Sequence, residues 1–279
     1  MTIIFKAKTV NGYCMKILSE LFQHNLKMAY FRINSQGIFL RMMDPKRRIL
    51  IDLVLKANKF NFYKFKSPEE NLFVGINLSS LHKTMKTIKK NDSVVWKIEG
   101  TRPHDLIIRV IPKENPTRIS ESVIKIQDAQ HLVLDLPEGY GKSVNLPSSD
   151  FQKAYKDVSS VGSNFINITS KGFQIRFSSG ESSLIPKSVS FGEAGDTDED
   201  SDSEEGEEEP YSENYETEQL SKITKVSALG PHMQIYARNN LPLLIKTSVG
   251  YIGRISVYLR SKEQLEKEKE ESEEEEDEE

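Results

Sequence analysis

Apolar residues recur along this chain at two spacings, and the switch from one to the other marks out helices and strands. Ile3, Phe5 and Ala7 alternate with Lys6 and Lys8, which predicts a half-buried strand. Gly12–His24 follows as a helix, with Cys14, Ile17, Leu18, Leu21 and Phe22 on one stripe and Lys16, Glu20 and Gln23 opposite. Met28–Asn34, Ile38–Met43, Arg48–Leu55 and Phe60–Phe65 then predict a run of strands, the first two joined through Ser35-Gln-Gly37. Strand Leu72–Ile76 leads into Leu78–Lys90, read as one helix. Leu78, Leu81, Met85 and Ile88 line one side of it, and Lys83, Lys86 and Lys90 the other. Ser93–Ile98 and Asp105–Ile111 close the set as a hairpin.

The order then returns. INSQGIFLR at 33–41 has a counterpart in ITSKGFQIR at 168–176, a spacing of 135 residues. Helix Ser149–Val158 turns Phe151, Ala154, Tyr155 and Val158 inward and Lys153 and Lys156 outward. Helix Glu218–Ala228 buries Leu220 and Ile223 and presents Lys222 and Lys225. Strands His232–Ala237, Pro242–Thr247 and Ile255–Leu259 complete the second half. Duplication at this period predicts an α+β fold of two similar domains, 1–119 and 138–262, joined by a connector at 120–137. Each domain holds two repeats of a helix with an antiparallel meander. If every helix buries its stripe on a sheet, Lys16, Lys83, Lys86, Lys90, Lys153, Lys156, Lys222 and Lys225 share one electropositive surface. That surface carries no aromatic residue, which suits phosphate-backbone contact independent of base sequence.

Charge sharpens this reading. The formal net charge of −4 conceals two acidic runs: 193–218 holds 14 acids and no base, and 263–279 holds 12 acids and two lysines. Both are expected to be disordered, the first as an insertion and the second as a tail, either solvating the chain or competing with DNA for its basic surface. Without them 36 basic residues face 16 acidic ones, so the body sits near +20 and calls for a polyanionic partner. Cys14 is the only cysteine, which leaves no disulfide and no cysteine metal site. No apolar run approaches the roughly 18 residues of a membrane span, and an intracellular protein is expected. Gly141-Lys-Ser143 lacks the earlier glycine of a phosphate loop, since Leu136 stands there, and extended chain follows it. The five histidines are scattered and the body carboxylates sparse, so no catalytic residue, metal ligand or cofactor is assigned.

These residues carry a resemblance to the proliferating cell nuclear antigen family of DNA sliding clamps. Its marks are Gly37 before Phe39-Leu40-Arg41 and Met43-Asp44; Gly75-Ile-Asn-Leu78; Leu136-Pro-Glu138; Leu146-Pro-Ser148 with Phe151; and Leu220-Ser-Lys-Ile-Thr-Lys225. They keep order and spacing from about Phe5 to Leu259. The resemblance implies a non-enzymatic homotrimeric ring, with helices lining a hole that passes duplex DNA. A clamp loader would place it, DNA polymerase and other proteins would bind it through short peptides, and it would work in the nucleus or another intracellular site of replication. Strand edges near 118–126 and 182–190 would join neighbouring subunits, and Arg118 would add to the DNA-lining lysines. The peptide pocket would be formed by Met43, Leu50, Leu134, Leu136, Pro242 and Tyr258, with Arg47 standing in place of a typical histidine. Arg260-Ser261 departs from the family's small-residue–proline step, and the lysine that takes ubiquitin-like modifiers falls near Lys171. A clamp-like subunit of a checkpoint or transcription-associated ring is the alternative.

Overall fold

The computed structural model describes residues 2–128, 134–180, 185–192 and 210–277. The chain divides into two units. The first comprises Met1–Asp135 with Ala228–Pro231 and Thr247–Val257, and the second Leu136–Ser227, His232–Lys246 and Tyr258–Glu279. The order in the first half is β1 (Ile3–Thr9), α1 (Gly12–Asn25), β2 (Met28–Ile33), β3 (Gly37–Met43), β4 (Ile49–Lys56), β5 (Phe62–Phe65), β6 (Leu72–Asn77), α2 (Leu78–Met85), β7 (Ser93–Glu99), β8 (Arg102–Ile111) and β9 (Ser120–Lys125). The second half runs β10 (Val144–Pro147), α3 (Ser148–Ser159), β11 (Phe165–Lys171), β12 (Gln174–Ser179), β13 (Ser188–Phe191), β14 (Tyr211–Glu216), α4 (Thr217–Ile223), β15 (His232–Tyr236), β16 (Leu243–Val249), β17 (Gly253–Leu259) and α5 (Lys262–Asp277).

A strand, a helix and three strands therefore recur four times, and in each repeat the first strand leaves its own meander. β1 pairs antiparallel with β7, β6 with β2, β14 with β11 and β10 with β15. Two repeats thus exchange strands within each unit, which ties their sheets together through main-chain ladders. In the first unit one sheet runs β5-β1-β7-β8-β9, and the other contains β6-β2-β3-β4. In the second unit one sheet runs β13-β12-β11-β14, beside the β10-β15-β16 ladder. Within each unit the helices pack on one face of the sheets. Phe22 of α1 lies 6.2 Å from Phe31 of β2, which meets Trp96 of β7 edge-on at 5.6 Å. Phe151 of α3 meets Phe177 of β12 at 5.9 Å. Each such ring, removed from water, contributes about 1.5–3 kcal/mol. The fold is an α+β architecture of two units, as the duplication predicts.

Three expectations are corrected. α2 ends at Met85 instead of reaching Lys90. The carboxylate of Asp92 accepts the Lys89 N–H at 2.9 Å and Asn91 adopts φ 70°, so the chain turns away and Lys90 lies in the turn. In the acidic stretch 193–218, residues 210–218 are ordered, whereas 193–209 lie outside the described residues. Tyr211 and Tyr215 are 3% and 0% exposed; four residues apart, they fall on the same face of β14, which forms despite its acids. The tail is helical across Lys262–Asp277. Ser261 Oγ accepts the Gln264 N–H at 3.1 Å and Gln264 Oε1 accepts the Ser261 N–H at 3.1 Å, a reciprocal cap that starts the helix. Lys262–Glu266 at 3.5 Å and Arg260–Glu268 then support its first turns.

The duplication also breaks here in an informative way. After β4 the chain forms β5 against β1; after β17 it forms α5, packed against β14. The open edge of β14 is met by a side chain instead of a strand. Glu263 accepts the Asn214 backbone N–H at 3.1 Å and its side-chain amide at 2.7 Å. Glu213 stands beside Glu263. Burial pushes the Glu213 carboxyl up, a Ser261 hydrogen bond works the other way, and the neighbouring Glu263 adds to the rise. Glu263 itself is held below the usual range: burial opposes this, and the Asn214 bonds outweigh it. A raised folded-state pKa gives Glu213 a stabilising contribution at low pH that is lost as pH climbs through that value; Glu263 behaves oppositely. Glu213→Gln is therefore expected to raise Tm at pH 8 by about 2 °C, allowing for solvent screening, and to lose this advantage near pH 4. Thermal melts at the two pH values check it; an equal change at both would remove the electrostatic cause.

Candidate functional site

In the first unit α1 and α2 lie side by side. Lys16 projects from α1, and its ammonium donates to the Ile88 carbonyl at 3.4 Å, next to the turn that follows α2. Lys83 is on the last turn of α2, Lys86 is its C-cap, and Lys90 follows in the turn. Lys83, Lys86 and Lys90 have no acidic partner among the described residues. Lys89 reaches Glu114 at 3.6 Å with both side chains largely exposed. The carbonyl end of a helix attracts cations, which eases crowding four lysines there. Arg118 is exposed in the loop before β9, its N–H bonded to the Asn115 carbonyl at 3.0 Å.

The second unit is different. On α3, Lys153 pairs with Asp150 at 3.5 Å, and Lys156 is exposed next to Asp157, which binds Lys187 at 3.4 Å. On α4, Lys222 is held by Glu218 at 2.7 Å, and Lys225 lies in the short 3-10 turn after the helix. Lysine-only polar faces do not describe these helices: Asp150, Asp157 and Glu218 share them. Lys83, Lys86 and Lys90, by contrast, gather at the end of α2 with no acid paired to them among the described residues.

The proposed pocket residues divide between the units. Met43 and Leu50 are direct cross-strand partners on β3 and β4, with Leu50 buried. The loop between them winds on the Asp44 carboxylate, which accepts the N–H groups of Arg48 and Ile49, both at 2.6 Å, and of Lys46 at 3.2 Å. This holds Arg47 at φ 55° with its side chain exposed. Leu134 is anchored through its carbonyl by Arg41 at 2.8 Å, while Asp52 fixes the other side of that guanidinium at 3.0 Å. At the start of the connector, Gly75 and Gln127 exchange backbone bonds of 3.2 and 2.9 Å. A Cβ at Gly75 would lie 2.5 Å from the Gln127 carbonyl oxygen, so only glycine permits this approach. Residues 129–133 of the expected connector lie outside the described residues, and Ser120–Lys125 belong to β9.

In the second unit Pro242 and Tyr258 are brought together by a residue the sequence reading passed over. The Tyr140 hydroxyl donates to the Pro242 carbonyl at 2.7 Å, and its ring sits 6.2 Å from Tyr258 and 6.0 Å from Tyr236. Burial pushes the Tyr140 hydroxyl well above its ordinary value, so it stays a donor at physiological pH. Tyr140 lies outside any helix or strand, so no periodicity could have flagged it. Leu136 is half-buried at the start of this unit. The chemistry assembled in both units is ammonium groups, anchored main chain and apolar surface. No group of three potential metal ligands occurs among the described residues, and no helix among them is long and apolar enough to cross a membrane.

Two family models match the chain. Residues 4–132 match the proliferating cell nuclear antigen N-terminal domain, and residues 136–272 match the proliferating cell nuclear antigen C-terminal domain.

Proposed function

The chain belongs to the proliferating cell nuclear antigen family, and from that premise we propose that it acts as a DNA sliding clamp, a processivity factor that catalyses nothing. Three copies close head to tail around duplex DNA, and polymerase and other replication or repair proteins dock by short peptides once a loader has placed the ring. The observation that carries this reading is the lysine cluster Lys83, Lys86 and Lys90, unpaired with any acid among the described residues and free of base-reading side chains. Such charges hold phosphates loosely and allow sliding. Lys16, Arg118, Lys153, Lys156, Lys222 and Lys225 add weaker contacts.

Open strand edges support closure of the ring. β9 and β13 each end a sheet within their own unit. Exposed apolar residues accompany both: Ile119 before β9 and Val123 within it are 52% and 47% exposed, and Ile185 ahead of β13 is 70% exposed. Pairing of β9 with the next copy's β13 is a heterologous contact, which closes a ring when its rotation is right. Partner peptides use the surfaces around Met43, Arg47, Leu50 and Leu134 and around Leu136, Pro242 and Tyr258, with work expected at an intracellular site of replication such as the nucleus. The test is retention on DNA after loading. The clamp should survive a high-salt wash on closed circular DNA and be lost once the circle is cut. Equal loss from both forms would sink encirclement, and native mass showing an obligate mixed ring would favour a checkpoint or transcription-associated assembly.

A further inference from the structure

The helices cover one face of the β5-β1-β7-β8-β9 sheet, and the opposite face has its own charge pattern. Phe5 and Ala7 are buried toward the helices, so the alternate residues Lys6 and Lys8 project from the other side. Register then builds two rows across the strands. Lys64, Lys6 and Lys97 are direct neighbours in one row, and Phe62, Lys8, Val95 and Arg109 in the next. The acids near these rows are already matched: Glu99 to Lys97 at 2.5 Å, Glu121 to Arg109, and Asp105 to Lys125 at 2.6 Å. Lys6, Lys8 and Lys64 have no acidic partner among the described residues. Like charges directly opposite one another weaken a sheet, so the Lys6–Lys64 pair works against the fold unless an outside anion covers it.

Aromatic surface accompanies the charge. The Phe62 ring is 44% exposed with the Lys6 ammonium 5.2 Å from its centroid. The side-chain Oδ1 of the neighbouring Asn61 accepts the Val10 N–H at 2.8 Å and the Tyr251 hydroxyl at 3.4 Å. This gathers a second exposed ring, Tyr251 at 50%, at the same corner. Exposed rings beside unpaired ammonium groups form a stacking platform with phosphate contacts, a combination that suits unpaired bases. A duplex hides its base faces, and an acidic peptide gains little from the rings.

We propose that this outer sheet face binds single-stranded nucleic acid, with Lys6, Lys8 and Lys64 on the phosphates and Phe62 and Tyr251 against the bases. The site lies on the face away from the helices and does not depend on encirclement. It is tested on the 279-residue chain by fluorescence anisotropy with a labelled linear oligothymidylate of about 20 nucleotides, long enough to span one or two such platforms. Lys6→Gln/Lys8→Gln/Lys64→Gln should weaken binding at least roughly tenfold and flatten the log K against log salt slope by about 2. Phe62→Ala should weaken it roughly tenfold with the slope unchanged. The arginine version of the triple variant should bind as the parent does, and matching melting temperatures show that the sheet is intact. The proposal is overturned if both the glutamine and the Phe62 variants bind the oligonucleotide normally. It is equally overturned if a poly-glutamate peptide binds as tightly and Phe62→Ala leaves the oligonucleotide unaffected, which would make the face a dock for acidic chains.

Discussion

Replacing Lys83, Lys86 and Lys90 together with glutamine is expected to lower duplex DNA affinity by roughly two orders of magnitude at about 0.1 M salt, and to flatten the log K against log salt slope by about 2.7. The size follows from what these ammonium groups do before DNA arrives. None has an acidic partner among the described residues, so each contact releases condensed counterions with no ion pair to break first. Lys153→Gln/Lys156→Gln/Lys222→Gln removes as many formal charges but should flatten the slope by only about 1. Asp150 and Glu218 already neutralise two of those three lysines at 3.5 and 2.7 Å. Anisotropy titrations of one labelled duplex over a salt series measure both variants. Equal slopes would show that the helical ion pairs do not limit the second set.

Ser190→Pro is expected to abolish assembly while leaving the subunit folded. Along the β12–β13 ladder the Ser179 N–H bonds to the Lys187 carbonyl at 2.8 Å, and alternation from there turns the Ser190 N–H away from β12 toward the open edge. Proline at that position removes one donor from the edge and adds a ring where a neighbouring strand would lie. Sedimentation or native mass should then show a single copy where three are expected of the parent chain, with the change in Tm measured on the same sample. A trimer that persists would place the subunit contact on a different edge.

Particular elements show how far the sequence could be read. α1 and α3 were legible because each buries an uninterrupted stripe, Cys14 to Phe22 in one and Phe151 to Val158 in the other. The hairpins at Gly37 and Gly172 were legible because alternation and a turn residue coincide. The end of α2 was not, because the apolar spacing continues to Ile88 while the helix is stopped by Asp92, a residue beyond the stripe. β14 was obscured by composition: 14 acids across 193–218 outweighed Tyr211 and Tyr215, two apolar positions on one face with Glu213 between them. α5 has no apolar stripe, and its start rests on the local pairing of Ser261 with Gln264. Lys16, Lys83, Lys153, Lys156 and Lys222 lie on their expected helices, whereas Lys90 and Lys225 fall in the turns that follow, and the acids that neutralise Lys153 and Lys222 were underweighted.

Periodicity and repetition by themselves determined the α+β class and the repeats, because burial of a stripe is a local property written at fixed intervals, while the family was carried by the resemblance of short motifs such as Gly75-Ile-Asn-Leu78. Only tertiary structure decided the exchange of β1, β6, β10 and β14 between repeats, the anchoring of Leu134 by Arg41, the meeting of Tyr140 with Pro242, and the lysine row on the outer sheet. Each of these joins residues far apart in the chain through backbone register or a single hydrogen bond. Such pairings depend on which strand edges meet after collapse, and hydrophobic spacing along one segment does not specify that choice.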